Sequence, residues 1–319
     1  MPSPKVVITD HSFSGITVER NLIEAAGGHL DAARCKTEED VIAACHDADL
    51  LMVQWAPISE RVLRSLKRCK IIIRYGIGVD NIDLKAAKGL GIAVANVPDY
   101  CIDEVADHTL ALALALGRQI LPTFDRLRAG TWKITPPAPM PAFRDMTFVT
   151  VGLGRIGRAV LARARPFGFR LAAYDPLPSV EVFRDAGARR LSLDEAFAEA
   201  DILSVHVPLI AGTHHLVSAE RLRSMKRTAI LINTSRGGLV DTHSLASALR
   251  EGLIAGAGLD VFEEEPLPPT HPLLQCPTAI LTSHTAWFSE ASVARLQQLA
   301  AEEAVRGING LPLMNRVNP

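Results

Sequence analysis

A chain of 319 residues is long enough to bury a large core and to divide into two domains. Hydrophobic residues make up 48% and charged residues 22%, the balance of a folded globular enzyme rather than of a disordered or fibrous chain. A formal net charge of −1 gives no electrostatic case for nucleic acid or an anionic membrane, and five scattered cysteines without a C-x-x-C spacing argue against a disulfide framework or a metal site and for a reducing cytoplasm.

The opening MPSPKVVITD lacks the apolar core of a signal peptide. The longest apolar helix candidate, near Thr109 to Leu121, is interrupted by Gly117-Arg118 and is too short to span a bilayer. Lys5 to Thr9 reads as a first strand, followed by a helix to about Ala26. Leu50 to Val53 is another strand and Ser59 to Arg68 another helix. Ile71 to Ile73 is a third apolar run, entering Arg74-Tyr75-Gly76-Ile77-Gly78-Val79-Asp80-Asn81. A helix to Lys88 and a strand from Ile92 to Ala95 follow. This alternation predicts βα units around a parallel sheet. Asp103 to Ala129 reads as one long helix, too apolar for a solvated linker, bridging two domains and contributing to a dimer interface. The proline-rich Ile134 to Ala142 is a loop.

The stretch from Thr147 to Asp175 is a strand–turn–helix–strand unit. The run Phe148, Val149, Val151 enters Gly152, Gly154 and Gly157 in the spacing G-x-G-x-x-G, and an acid, Asp175, stands about 20 residues beyond. Gly152 permits the tight turn, Gly154 has no side chain to block a pyrophosphate, and Gly157 lets helix and strand pack closely. The helix N-terminus offers N–H groups and a partial positive charge to phosphates. Asp175 can accept both ribose hydroxyls of NAD and would repel the 2′-phosphate of NADP. Pro176 rather than an arginine follows it, so NAD (NADH) is the expected cofactor, with Arg155 as the one cation inside the loop. Further strand-like runs at Ile202 to Val207, Ala229 to Ile232, Ala255 to Leu259 and Ala279 to Leu281 extend this unit to a six- or seven-stranded doubly wound sheet. A final amphipathic helix runs from Glu290 to Asn309.

A nicotinamide enzyme acting on a polar carbonyl needs a proton donor, a cation to hold and polarise the substrate, and a group that supports the donor. Three strand ends carry candidates. One runs into Asn233-Thr234-Ser235-Arg236-Gly237-Gly238, one into Asp260-Val261-Phe262-Glu263-Glu264-Glu265-Pro266, and one into Ser283-His284-Thr285-Ala286-Trp287. Arg236 offers a planar fork for a carboxylate. A carboxylate beside His284 would stabilise its imidazolium. Glu263 and Glu264 read as a solvated acidic turn.

With VGLGRIGRAV, NTSRGGLVD, GAGLDVFEEEP and LTSHTAW in this order, the chain resembles the D-isomer-specific 2-hydroxyacid dehydrogenase family. The resemblance implies an α/β fold of two Rossmann-like or flavodoxin-like domains with parallel sheets and the cofactor in the cleft between them. Residues 1–102 and 288–319 would form the substrate domain and 103–287 the NAD-binding domain. It implies that Arg236 binds the substrate carboxylate and carbonyl, that His284 is the acid–base, and that Glu265 pairs with it. Arg74, Tyr75, Gly76, Ile77, Gly78 and Trp287 would line the substrate pocket, with backbone N–H groups of the glycine loop facing the carboxylate. Thr109, Gly152, Gly154, Arg155, Ile156, Gly157, Asp175, His206, Val207, Pro208, Thr213, Thr234, Ser235 and Asp260 would surround the cofactor. Arg74 and Trp287, together with VPDYCIDEVADHT and HTAWFSE, are similar to their counterparts in the C-terminal-binding-protein-like branch, and a tryptophan wall suits an apolar or thioether side chain better than a phosphate.

The implied activity is hydride transfer between nicotinamide and C2 of a small 2-keto or 2-hydroxy acid in a cytoplasmic homodimer. A glyoxylate or hydroxypyruvate reductase and a phosphoglycerate dehydrogenase share the same residues. Formate dehydrogenase would lack the counterpart of Glu265. An NAD-sensing scaffold is the reading from another class.

Overall fold

The structure, a computed structural model, describes residues 3–136 and 138–319. Met1, Pro2 and Pro137, the last within the proline-rich stretch read as a loop, lie outside the described residues. The chain divides into two compact units, Met1–Tyr100 with Ser289–Pro319, and Cys101–Phe288.

In the first unit the elements run β1 (Lys5–Ile8), α1 (Thr17–Ala25), β2 (His29–Ala32), α2 (Glu38–Cys45), β3 (Leu50–Val53), α3 (Glu60–Ser65), β4 (Ile71–Arg74), α4 (Leu84–Gly89) and β5 (Ala93–Ala95). The strands form one parallel sheet in the order β2-β1-β3-β4-β5. The runs KVVI, LLMV and IIIR are apolar without alternation because helices cover both faces of such a sheet. Two elements escape a sequence reading. The edge strand β2 is the mostly polar HLDA, and α2 depends on a capping box between Thr37 and Asp40 more than on an apolar stripe. The last helix, here α12 by its place in the chain (Glu290–Ile308), packs on α1, β3 and β4. Gly307 makes that approach possible, since a Cβ there would lie 2.5 Å from Ile71 Cδ1. The buried Glu19 of α1 accepts from Tyr75 Oη at 3.0 Å and from Gln297 Nε2 at 3.0 Å, which ties the residue after Arg74 to both helices.

The second unit runs α5 (Ile102–Gly117), α6 (Ile120–Arg128), β6 (Thr147–Val151), α7 (Arg155–Ala164), β7 (Arg170–Tyr174), α8 (Val180–Asp185), β8 (Arg189–Arg190), α9 (Leu193–Glu199), β9 (Ile202–Val205), α10 (Ala219–Ser224), β10 (Ile230–Asn233), α11 (Thr242–Arg250), β11 (Gly256–Leu259) and β12 (Ala279–Leu281). All strands are parallel, in the order β12-β11-β10-β9-β6-β7-β8. Strand order reverses between β6 and β9, the switch point where open α/β sheets bind ligands beyond the carboxyl ends of the strands. The single helix expected over Asp103 to Ala129 is two. Gln119 adopts a left-handed φ of +51°, and its side chain turns back to the proline-rich stretch, donating to Ala138 O (2.8 Å) and accepting from Ala138 N (3.1 Å). α5 is buried against β10, β11 and α7 within this unit, whereas α6 leaves Ile120, Leu121, Phe124 and Leu127 exposed. Among the described residues no helix is long and apolar enough to cross a membrane.

Candidate active site

The turn after β6 has the shape its glycines predict. Gly152 has φ +104°, and a Cβ there would lie 2.4 Å from His206 O. A Cβ on Gly157 would lie 2.2 Å from Gly152 O. A Cβ on Gly154 would meet nothing within 4 Å, so its bare backbone borders open space. Gly154 is the N-cap of α7 and supplies no side-chain cap, so the positive end of the helix dipole faces the turn without a capping side chain. The acid at the end of β7 is locked to the turn: Leu153 N donates to Asp175 Oδ2 at 2.8 Å and Leu177 N to Oδ1 at 3.0 Å. A turn of this shape could hold a dinucleotide, with open space for a pyrophosphate at Gly154 and a carboxylate for a ribose at Asp175.

His206 and Val207 follow β9 and back this turn. The His206 Nε2 hydrogen-bonds with Ser204 Oγ at 2.8 Å, and burial pushes its pKa down to about 3. The ring therefore stays neutral. Because the folded value lies below the ordinary one, this group takes stability away only as pH falls below the usual histidine range. We expect NMR of its imidazole to show no titration above about pH 4; a midpoint near 6.5 would contradict this. Thr213 closes the Pro208 loop, donating to Pro208 O at 2.6 Å and accepting from Ile210 N at 2.9 Å.

Beyond β10, Asn233 shapes the turn that presents Arg236. Its Nδ2 donates to Arg236 O (2.9 Å) and its Oδ1 accepts from Ser235 N (3.1 Å), while Ser235 Oγ donates to Val205 O (2.7 Å). Thr109, fully buried on α5, shares a 2.8 Å hydroxyl contact with Thr234. Arg236 Nη1 donates to Ser235 O at 2.7 Å. Gly237 then packs directly on the β11 loop, where a Cβ would lie 1.9 Å from the carbonyl carbon and oxygen of Phe262.

Asp260, at 1% exposure, spends its carboxylate on the β12 loop. It accepts from Thr282 Oγ1 (2.5 Å), Thr285 N (2.9 Å) and Ala286 N (2.8 Å), and its backbone oxygen accepts from His284 N (2.7 Å). His108 Nε2 reaches the same cluster at Thr282 Oγ1, 3.0 Å away. His284 has φ +54°, a left-handed backbone that non-glycine residues rarely adopt and that concentrates at functional sites. It is pinned on each side, since Trp287 Nε1 donates to His284 O at 2.8 Å. Its Nδ1 lies 2.7 Å from Glu265 Oε2, and Glu265 Oε1 accepts from Phe262 N at 2.9 Å. Burial works against the charge on Glu265, but the hydrogen bond and charge of His284, the Phe262 N–H and the nearby Arg236 together hold its carboxyl below the ordinary range. The three strand ends thus bring Arg236, Glu265 and His284 into one backbone-locked cluster.

Glu263 is not the solvated acid expected. Its Oε1 lies 2.5 Å from His215 Nε2, and its Oε2 accepts from both the N–H (3.0 Å) and the hydroxyl of Thr242 at the start of α11. It anchors the loop carrying Glu265 to α11. Burial opposes ionisation, but these bonds keep its carboxyl below the ordinary range. The stabilisation is therefore present at neutral pH and is lost as pH falls through the folded value. For Glu263→Gln we expect a loss of about 1 kcal/mol near pH 7, small because the pair is partly exposed, converging with wild type in acid. Denaturant melts at both pH values check this, and an equal deficit at both would contradict it. Glu264 remains an exposed turn residue.

In the first unit, Arg74 ends β4 and folds back over Gly76, whose φ is +141° and where a Cβ would lie 1.3 Å from Arg74 Nη1. Nη1 donates to Tyr75 O (2.7 Å), and the guanidinium sits 5.6 Å from the centre of the Trp55 ring. Trp55, 44% exposed, is a residue the motif reading missed. Asp10 holds its loop by accepting from the N–H groups of Gln54 (3.2 Å), Trp55 (2.6 Å) and Ala56 (3.2 Å). The N–H of Gly76 is committed to Arg74 O. Among the described residues those of Ile77 and Gly78 have no acceptor, and they are the donors this loop can offer a carboxylate.

Residues 110–286 match the model of the D-isomer specific 2-hydroxyacid dehydrogenase NAD binding domain. The chain is 39% identical over 282 residues to a glyoxylate reductase of Korarchaeum cryptofilum, covering 87% of this chain and 85% of that protein. It is 36% identical over 293 residues to a D-3-phosphoglycerate dehydrogenase of Methanocaldococcus jannaschii, covering 91% of this chain and 56% of that protein. Among solved structures, the D-lactate dehydrogenase of Aquifex aeolicus complexed with NAD and lactic acid matches with a TM-score of 0.89 at 28% identity, over 98% of this chain and 99% of that one. The matched NAD binding domain gives NAD as the cofactor, and the chain belongs to the D-isomer-specific 2-hydroxyacid dehydrogenase family, an NAD-dependent oxidoreductase acting on CH–OH donors.

Proposed function

We propose that the chain interconverts a small 2-keto acid and its D-2-hydroxy acid, with His284 as acid–base, Glu265 as its partner and Arg236 as the group that holds the substrate. The observation that carries this reading is the 2.7 Å contact between His284 Nδ1 and Glu265 Oε2, on loops that Gly237 and Asp260 lock together. The bound nicotinamide supplies or accepts the hydride at C2. The chain's own work is positioning and proton transfer. With Nδ1 directed at Glu265, the proton in play sits on Nε2, and the carboxylate stabilises the imidazolium that gives it up to the carbonyl oxygen. Arg236 pairs its planar fork with the substrate carboxylate and polarises the carbonyl. In oxidation the same groups run in reverse.

Glyoxylate is the first substrate to test, because the glyoxylate reductase relative aligns over most of both chains. Phosphohydroxypyruvate ranks below it, since Trp287 beside His284 offers no charge to a phosphate. We assign residues 1–102 and 288–319 to substrate, through Arg74, Tyr75, Ile77 and Gly78, and 103–287 to NAD. A homodimer is supported by the exposed apolar face of α6, a large patch for a lone chain to leave in water. A reducing, cytoplasmic setting is supported by five cysteines that are scattered in the sequence and all buried. The likeness to the C-terminal-binding-protein-like branch rests on Arg74, Trp287 and the segments VPDYCIDEVADHT and HTAWFSE.

The test is NADH oxidation by the purified chain with glyoxylate, hydroxypyruvate, pyruvate, phenylpyruvate, 4-methylthio-2-oxobutyrate and phosphohydroxypyruvate. Saturable turnover of one or more of the unphosphorylated acids is the expected result. Binding of NADH without turnover of any of them would favour the scaffold reading.

A further inference from the structure

The sequence offers NADP no arginine after Asp175, yet the structure places one beside it. Tyr174, Asp175, Pro176, Arg190, Leu191 and Ser192 line a single cavity at the ends of β7 and β8. β8 pairs in parallel with β7, Ala173 opposite Arg190, and Leu191 N donates to Ala173 O at 2.9 Å. Strand alternation sends the two arginines of β8 to opposite faces. Arg189 is consumed by an ion pair with Glu199. Arg190 instead lies with its guanidinium 5.3 Å from the centre of the buried Phe183 ring and has no carboxylate partner among the described residues. Stacking on an aromatic face orients a guanidinium while leaving its N–H edge for an anion. Asp175, which lines the same cavity, has one backbone N–H bound to each carboxylate oxygen, so its position is fixed and its charge partly offset. Arg155 does not line this cavity.

We propose that Arg190 is the contact for a 2′-phosphate on the adenosine ribose. The chain therefore binds NADPH as well as NADH, and its preference is set by the opposition of Arg190 and Asp175 rather than by Asp175 alone. This rests on the assignment of Asp175 to the ribose. An anion with two charges and three oxygens next to a bidentate donor is the pairing arginine serves best. Removing the cation should then act on the phosphorylated cofactor and spare the other.

The test is direct binding to the full chain, followed by reduced-nicotinamide fluorescence, for wild type, Arg190→Ala, Arg190→Lys, Asp175→Asn and the double variant Asp175→Asn/Arg190→Ala. The expected result is that Arg190→Ala weakens NADPH by about tenfold and changes NADH by less than about twofold. Arg190→Lys should keep most of the NADPH affinity. Asp175→Asn should weaken NADH and strengthen NADPH, and the double variant should lose that gain. No NADPH binding by wild type, or equal shifts for the two cofactors in Arg190→Ala, would overturn the proposal. Unchanged NADH binding in Asp175→Asn would instead overturn the ribose assignment on which it stands. Arg190 is exposed, and equal melting temperatures across the set separate a binding effect from a folding one.

Discussion

Replacing His284 by alanine is expected to lower kcat for 2-keto acid reduction by about 10³-fold while NADH binding stays within about twofold. General acid–base catalysis by one positioned group accounts for a loss of this size, and three other imidazoles of the same unit are committed elsewhere. His206 is held neutral behind the glycine turn, His108 is engaged at Thr282 and His215 is engaged with Glu263. The strained backbone at residue 284 adds a second expectation. Alanine at φ +54° relieves no strain, so the variant should gain no stability, and a melting temperature near that of wild type would separate a chemical loss from a structural one. Glu265→Gln should fall between the two enzymes, since it keeps a hydrogen-bond acceptor at Nδ1 but removes the charge that supports imidazolium. Loss of NADH binding in His284→Ala would contradict the assignment and make the residue structural.

The second large effect is steric. Alanine at Gly237 would put a Cβ 1.9 Å from the backbone of Phe262 and 2.5 Å from Glu263 N, and neither can swing aside as a flexible side chain could. The β10 and β11 loops must separate, which moves Arg236 away from Glu265. We expect a loss of about 3 kcal/mol or more, a drop in Tm of several degrees, and a fall in kcat/KM larger than the change in stability explains. Gly154→Ala is the matched control. Its Cβ would meet no protein atom within 4 Å, so the fold should be untouched, yet the methyl would stand where the pyrophosphate must pass. The pair should therefore divide cleanly: Gly237→Ala loses Tm, and Gly154→Ala keeps Tm but binds NADH more weakly. Equal Tm in both would show that the Gly237 contact relaxes without cost.

The parts of this molecule legible in the sequence are those where local chemistry and function coincide. The run from Thr147 to Asp175 carries its own strand, turn, helix and acid. The segments bearing Arg236, Glu265 and His284 each follow a continuous apolar strand. What escaped depends on tertiary partners. β2 and β8 are edge strands, and an edge strand of HLDA or two arginines has no apolar run to announce it. The break at Gln119 comes from a side chain folding onto residues 19 positions away. Glu263 looks like one of three equivalent acids until Thr242 and His215 are found on it. Asp260 reads from its motif as a residue near the cofactor, and only the fold shows that its oxygens also hold the loop that presents His284. Trp55 belongs to no motif and matters only because Arg74 lies across it. Arg190 lies 15 positions beyond Asp175 and becomes its neighbour only through the pairing of β7 with β8.

In the proposed reaction this chain carries a hydride to C2 of a 2-keto acid while its own histidine supplies the proton. The most direct measurement is reduction of hydroxypyruvate or pyruvate with NADH deuterated at C4, followed by mass and chiral analysis of the product. One deuterium is expected, at C2, in the D-hydroxy acid, with its formation slowed about 10³-fold in His284→Ala. Product of the L configuration, or no deuterated product from a chain that binds NADH, would contradict it.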